Sequence, residues 1–281
     1  MFGTLYMVGT PIGNLEDMTY RAVRILNEVD LIAAEDTRNS IKILNHFEIK
    51  TPMTSYHEHN KIEKAKELIR RLQNGESIAC ITDAGMPGIS DPGEELVAMA
   101  HMAGVKVTVV PGPTAVVSAL VISGQKTRRF AFEAFLPADK RKCREVLDEL
   151  KSETRTIVLY EAPHHLVKTL EKLEEALGDR TLSIVKELTK IHENVFRTTL
   201  RGALDYYRDN EPKGEFVLVI EGKDPKLIKE ESVKEWEEMS LEDHMQLYLD
   251  QGMDRKDAMK AVAKDRGVGK REIYDALLGN K

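Results

Sequence analysis

From residue 5 to residue 110 the chain alternates between short apolar β-prone runs and longer runs of helical periodicity, and this alternation leaves few folds open. "LYMVG", "LIAAED", "PMTSYHEHN", "SIACITDAG" and "KVTVVPGP" each hold a strand. Between them Met18 to Val29, Thr37 to Phe47, Lys61 to Gln73 and Glu94 to Ala103 read as helices, the third stopped by Asn74-Gly75. Strands that alternate with helices form a parallel sheet covered on both faces. A second α/β stretch follows. Thr114 to Ser123 is a small-residue helix, "RFAFEAFLP" a strand region, Lys140 to Lys151 a helix, "RTIVLYEAPHH" a strand and loop, and Leu166 to Leu177 a helix closed by Gly178. "TLSIVKELTKIHENVFRTTL" reads as two strands around a polar turn, so part of this second sheet is antiparallel, and "GEFVLVIEG" is a last strand.

The remainder is helical in pattern. Ser240 caps "LEDHMQLYLDQ", Asp254 caps "RKDAMKAVAKDR", and "KREIYDALL" is a third helix. Ala263, Gly267 and Ile273 fall at the small, turn and apolar positions of a helix-turn-helix, which sets Lys270 and Arg271 at the start of a recognition helix. Charge marks the same segment. Asp224 to Asp243 carries three Lys against eight Asp or Glu, whereas Arg255 to Lys281 carries eight Lys or Arg against four acids. An acidic linker followed by a basic end is the mark of a separate unit, read either as a nucleic-acid contact or as a three-helix cap with a solvated basic face. The expected division is therefore 1–113, 114–223 and 224–281. With 281 residues, 42% of them hydrophobic, the chain can fill two α/β cores. Its net charge of −6 argues against coating nucleic acid non-specifically. No apolar run is long enough to span a bilayer, no signal peptide opens the chain, and Cys80 and Cys143 read as free thiols, so a cytoplasmic protein without a membrane partner is expected. No zinc-ligand spacing occurs, and no metal is expected.

Four glycine- or proline-bearing loops follow strand ends: "GTPIGN" at Gly9, "TDAGMPGISDPG" at Thr82, "PGPTA" at Pro111 and "YEAP" at Tyr160. Ligands of open α/β sheets bind beyond the carboxyl ends of the strands, so four such loops point to one cleft. "GTPIGN" is neither the dinucleotide fingerprint nor a P-loop, which directs attention away from a diphosphate. Polar clusters near the same strand ends offer a proton acceptor or a cation for a developing oxyanion. They are Glu35, Asp36 and Arg38 of "EDTR", His57, Glu58 and His59 of "SYHEHN", and Lys186, Glu187, Lys190, His192 and Glu193 of "KELTKIHE". Each has a plain structural reading as a salt bridge, a cap or an exposed polar loop, and the residues alone do not choose among them.

In order along the chain, "GTPIGNLEDMTYRA", "AAEDTR", "DAGMPGISDPG", "PGPTA", "LYEAPHH", "KELTKIHE" and "GEFVLVIEG" resemble the ribosomal RNA small subunit methyltransferase I family, of the tetrapyrrole methylase superfamily. The resemblance covers about residues 3 to 222, and the helical tail looks like that family's extension. It implies an α/β fold: two α/β domains of the tetrapyrrole-methylase (class III methyltransferase) type with a cofactor cleft between them, and a small C-terminal helical domain. It implies a homodimer that uses S-adenosyl-L-methionine to methylate the 2′-hydroxyl of a cytidine ribose in the decoding region of 16S rRNA, with the small ribosomal subunit as the setting. It implies cofactor contacts from Pro11, Ile12, Gly13 and Asn14, from Asp83, Ala84, Gly85, Met86 and Pro87, from Thr114 and Ala115, and from Tyr160, Glu161 and Ala162. On this reading Gly9 and Gly13 bring bare backbone up to the methyl donor. The catalytic candidates are Glu35, Asp36, Arg38, Lys186, His192 and Glu193, with Arg38, Lys270 and Arg271 on RNA. Two rivals stay open: C-methylation of a tetrapyrrole, and a non-catalytic nucleic-acid-binding dimer.

Overall fold

The computed structural model describes residues 1–278. Residues 1–147 and 156–221 form one compact unit, and residues 148–155 and 222–281 group as another. The first unit opens with β1 (Thr4–Val8), α1 (Tyr20–Glu28), β2 (Leu31–Ala34), α2 (Thr37–His46), β3 (Met53–Ser55), α3 (Lys61–Gln73), β4 (Ile78–Ile81), α4 (Gly93–Met102) and β5 (Lys106–Val110). The five strands make an all-parallel sheet in the order β3-β2-β4-β1-β5. β2 and β4 are buried along their whole length, as strands covered on both faces must be. Separate clusters of apolar side chains cover the two faces, one built around Leu5, Leu68, Leu72 and Leu96, the other around Val8, Leu26, Ile32 and Ile81.

The same unit continues with α5 (Ala115–Ile122), β6 (Phe130–Phe132), most of α6 (Lys140–Leu150), β7 (Thr156–Glu161), α7 (Leu166–Leu177), β8 (Thr181–Lys186), β9 (Asn194–Thr199), α8 (Leu200–Asp209) and β10 (Phe216–Ile220). The sheet order is β6-β7-β10-β8-β9. β6 and β7 are parallel, and every other pair is antiparallel, with Val185 opposite Val217 and Val195. α5 packs its Val116, Ala119 and Leu120 on Val158, Val185, Val217 and Val219, which share one face of this sheet. Ile12, from the loop after β1, joins that cluster.

Three local features differ from the expected pattern. Asn14 caps a single 3-10 turn, Leu15–Asp17, by accepting from Glu16 N at 3.0 Å. α1 then starts at Tyr20, because Thr19 is extended and caps it through Ala22 N. β9 runs straight into α8, which the sequence pattern did not announce; Thr199 ends the strand and caps the helix through Gly202 N at 3.1 Å.

In the other unit, the acidic stretch expected as a linker contains α9 (Pro225–Glu238), capped by Asp224. It is followed by α10 (Leu241–Asp250), α11 (Arg255–Asp265) and α12 (Lys270–Leu278), the first two capped by Ser240 and Asp254. Met245, Ala258, Val262, Ala263 and Ile273 form the core, and Gly267 takes a φ of +66° in the turn between α11 and α12. His244 is fully buried here. Its ring stacks on Trp236 at 4.0 Å and 10°, its Nδ1 accepts from Arg266 Nε at 3.2 Å, and its Nε2 lies 3.3 Å from Asp265. Among the described residues no helix is long and apolar enough to cross a membrane.

Candidate functional site

The loops after the strands are tied to one another chiefly by main chain. Buried Thr10 forms an isolated antiparallel bridge with Gly85, N to O at 2.9 Å and back at 3.1 Å, and its hydroxyl donates to Thr82 O at 3.1 Å. Gly85 adopts a φ of +83°, open to glycine and costly for other residues. A β-carbon on Gly9 would fall 2.8 Å from Gly112 Cα and 2.7 Å from Met86 Sδ, so "GTPIGN" and "PGPTA" cross glycine against glycine. Asp91 takes the backbone N–H groups of Gly88 and Gly93, each at 2.9 Å, which fixes "TDAGMPGISDPG" ahead of α4.

These loops and the strand ends of the second sheet enclose a cavity of about 590 Å3. Of the residues expected at a cofactor, Ile12, Asp83, Ala84, Gly85, Met86, Thr114, Ala115, Tyr160, Glu161 and Ala162 line it. Pro11, Gly13, Asn14 and Pro87 are not on its wall. Gly9 and Gly13 both lie against other loops of the protein: a β-carbon on Gly13 would meet Lys190 Cγ at 2.6 Å and Thr189 Oγ1 at 3.0 Å. Both glycines make room for other loops of the protein.

Of the residues expected at the chemistry, only Glu35 reaches this cavity. Its Oε2 accepts a short hydrogen bond from the Thr82 hydroxyl and a longer one, 3.4 Å, from Asp83 N. Asp36 and Arg38 sit beside it, off the wall. Arg38 is 88% exposed and pairs with Asp36 at 2.6 Å, and that hydrogen bond holds the Asp36 carboxyl down to about 2. The Asp36 backbone N–H and the Asn39 amide both donate to Asp83, at 3.2 and 3.0 Å, and so orient its carboxylate. Lys186, His192 and Glu193 are elsewhere. Val185 lines the first cavity, and the pleat turns its neighbour Lys186 to the opposite face, where Lys186, His192 and Glu193 line a second cavity. His57, Glu58 and His59 line neither. Lys190 lies between the two groups, bridging Glu187 and Glu215 at 3.0 and 2.9 Å.

The wall mixes two chemistries. Its apolar members include Ile12, Val185, Leu188, Val217, Tyr160 and the half-exposed Phe135. The Tyr160 ring meets Phe132 and Phe135 edge-on, at 4.9 and 5.8 Å, its hydroxyl accepts from Val116 N at 3.0 Å, and burial raises its pKa. Its charged members are all acidic: Glu35, Asp83, Asp91, Glu161 and Glu215, with no Lys, Arg or His among the described lining residues. Glu161 is itself secured by Ala162 N at 2.7 Å and the Thr169 hydroxyl at 2.5 Å. Such a cavity favours a ligand with a flat apolar part and positive charge. Phe135, Ser90, Asp91, Leu188 and Glu215 to Val217 were not anticipated here. Only "GISDPG" and the aromatic run "FAFEAF" carried a local hint of them.

Residues 4–203 match the family model of the tetrapyrrole (corrin/porphyrin) methylases. The chain is 50% identical over 273 residues to a protein of Halalkalibacterium halodurans named ribosomal RNA small subunit methyltransferase I, covering 97% of this chain and 94% of the relative. It is 47% identical over 277 residues to a protein of the same name from Synechocystis, with 98% of each covered. Among solved structures it resembles uroporphyrin-III C-methyltransferase from Thermus thermophilus in complex with S-adenosylhomocysteine. The TM-score is 0.55 at 20% identity, over 77% of this chain and 97% of the other, a likeness of fold.

Proposed function

The chain belongs to the tetrapyrrole methylase family and, within it, to the ribosomal RNA small subunit methyltransferase I proteins, and from that premise we propose that it methylates the 2′-hydroxyl of a cytidine ribose in the decoding region of 16S rRNA. It is an S-adenosylmethionine-dependent methyltransferase. The observation that carries the choice of ligand is the cavity wall, which combines carboxylates with apolar and aromatic side chains and has no basic side chain among the described lining residues. S-adenosylmethionine, a sulfonium cation with an adenine ring, fits that wall; an anionic tetrapyrrole would face its carboxylates unscreened.

When bound, the cofactor supplies a methyl group on a positively charged sulfur, open to attack by an oxygen. The protein's part is to position and to manage charge. Asp83, held by Asp36 N and Asn39, and Asp91, held by two backbone N–H groups, present fixed negative charge to the cation. Ile12, Leu188, Val217 and the Tyr160 ring offer the apolar surface for adenine. Glu35 is the proton acceptor of this site. Its Oε2 is held by Thr82, and no hydrogen bond reaches its Oε1 among the described residues, so that oxygen is available to take the ribose hydroxyl proton. Arg38, exposed beside the cavity, holds an RNA phosphate, and Lys270 and Arg271 (the latter 94% exposed) add contacts from the helical tail.

The enzyme works in the cytoplasm as a homodimer. α5 supports the second point: apolar but for Ser118, it leaves Val117, Val121 and Ile122 exposed, and the edge strand β5 likewise exposes Val109. Incubation of the purified protein with labelled S-adenosylmethionine and 16S rRNA, small subunits or uroporphyrinogen tests the function. Label is expected in a cytidine ribose of the rRNA or subunit. Label confined to the tetrapyrrole, or none together with a flat calorimetric titration of the cofactor, rejects it.

A further inference from the structure

Strand β8 has two faces, and the first cavity uses one of them. On the other, Ile184 and Lys186 open onto a second cavity of about 600 Å3, bounded also by the edge strand β9 and the end of α8. Its size is that of a pocket for a small organic ligand. Phe196, Tyr206 and Tyr207 give it an aromatic wall: the Phe196 and Tyr206 rings lie 4.9 Å apart, and Tyr206 meets Tyr207 edge-on at 5.0 Å. Tyr206 is 47% exposed, so its ring is offered to whatever enters. The acids at the rim are engaged. Glu193 takes the Thr189 N–H at 2.7 Å, and Glu211 pairs with Lys213 at 3.2 Å. The Lys186 and His192 side chains make no hydrogen bond or ion pair among the described residues, although the Lys186 charge helps hold the adjacent Glu187 carboxyl down. Asn194 and Asn210 add neutral amides, the Asn210 Nδ2 already donating to Tyr206 O at 2.8 Å and its Oδ1 left to accept.

Aromatic faces, an uncommitted cation and amides are the set that recognises a single unpaired nucleotide: the base stacks, the amides meet its edge, and the cation takes its phosphate. The loop 187–193 separates this cavity from the first. It is held in one shape, with Glu187 and Thr189 at left-handed φ values of 51° and 65° and Lys190 bridging to Glu215. Both cavities draw on the carboxyl end of β8, one on each face. We propose that the second cavity holds an unpaired nucleotide of the RNA substrate, flanking the one whose ribose enters the first cavity; this rests on the reading that the enzyme acts on ribosomal RNA.

The test uses the full-length protein, 16S rRNA (free or in small subunits) and labelled S-adenosylmethionine. Tyr206→Ala should raise the KM for RNA roughly tenfold, as loss of one stacked base does, while cofactor Kd by calorimetry stays unchanged. Tyr206→Phe should restore the KM. Lys186→Ala should reduce the slope of log affinity against log salt by about 0.7, one phosphate's share on a single strand. If the unaltered protein methylates the RNA but neither the KM of Tyr206→Ala nor the salt slope of Lys186→Ala moves, the proposal is overturned and the rRNA reading stands. A Tyr206→Ala protein that changes its oligomeric state with an unmoved KM assigns the cavity to a second copy, which also overturns it. Failure of the unaltered protein to bind or methylate the RNA in either form removes the rRNA reading, and this proposal with it.

Discussion

A β-carbon at position 13 would press on Lys190 Cγ at 2.6 Å, and Lys190 cannot swing away freely because Glu187 and Glu215 hold its amine. Gly13→Ala should therefore lower stability by roughly 1–3 kcal/mol, the usual cost of overpacking, read by denaturant or thermal melts. In the Lys190→Ala background the loss from Gly13→Ala should shrink but not vanish, since alanine at 190 has no Cγ to meet while the φ of +154° at Gly13 and Thr189 Oγ1 at 3.0 Å remain. Fully additive losses would place the whole cost in the backbone and Thr189 rather than in Lys190. The same residue marks the limit of what could be read from the chain. That "GTPIGN" needs bare backbone was legible in its two glycines. What the backbone approaches was not, because Lys190 lies 177 residues further on and no local pattern records a contact between loops. Glu35 and Asp83 were legible as polar residues at strand ends. Which side Lys186 faces was not, since that depends on a one-residue alternation within a strand whose covered face is set by α5.

Elements with clear start and stop signals match their expected spans closely. α3 and α7 run from Lys61 to Gln73 and from Leu166 to Leu177, closed by Asn74-Gly75 and by Gly178 at a φ of 74°. α8 was hidden because no loop precedes it: Thr199 serves strand and cap at once. α9 was hidden by its acidic composition, which reads as solvated linker until Trp236 is seen stacked on His244. That buried histidine gives the helical tail a pH dependence. Burial lowers the His244 pKa, and the nearby Asp265 only partly opposes this. The unfolded chain then takes up the proton first, so stability is full above the ordinary histidine value of 6.5 and drains away as pH falls through it toward the folded value. Fluorescence of Trp236, the sole tryptophan, should report a tail that melts earlier as pH drops from about 7 to 5. In His244→Gln this acid slope should flatten. An unchanged slope would place the titrating group elsewhere.

At the scale of the whole chain, the α/β class, the parallel first sheet and the partly antiparallel second sheet were legible, because strand–helix alternation and the "KELTKIHE" turn dictate them. The pairing of β10 between β7 and β8 was not, since sheet order is a long-range property. The exposed valines of α5 carry the prediction at this scale. Val121, 68% exposed and one helical turn from Val117, should lie in the contact of the homodimer proposed above. Val121→Glu should weaken dimerisation at least roughly tenfold in light scattering or sedimentation, because an unpaired charge is buried there. A variant as dimeric as the parent would move the contact to another face. The fastening of Thr10 to Gly85, and of Gly9 against Gly112, has a wider consequence. A clasp made largely of peptide groups asks little of neighbouring side chains beyond keeping its glycines. Side chains around the clasp can thus change without loosening it, so long as the glycines that cross there remain.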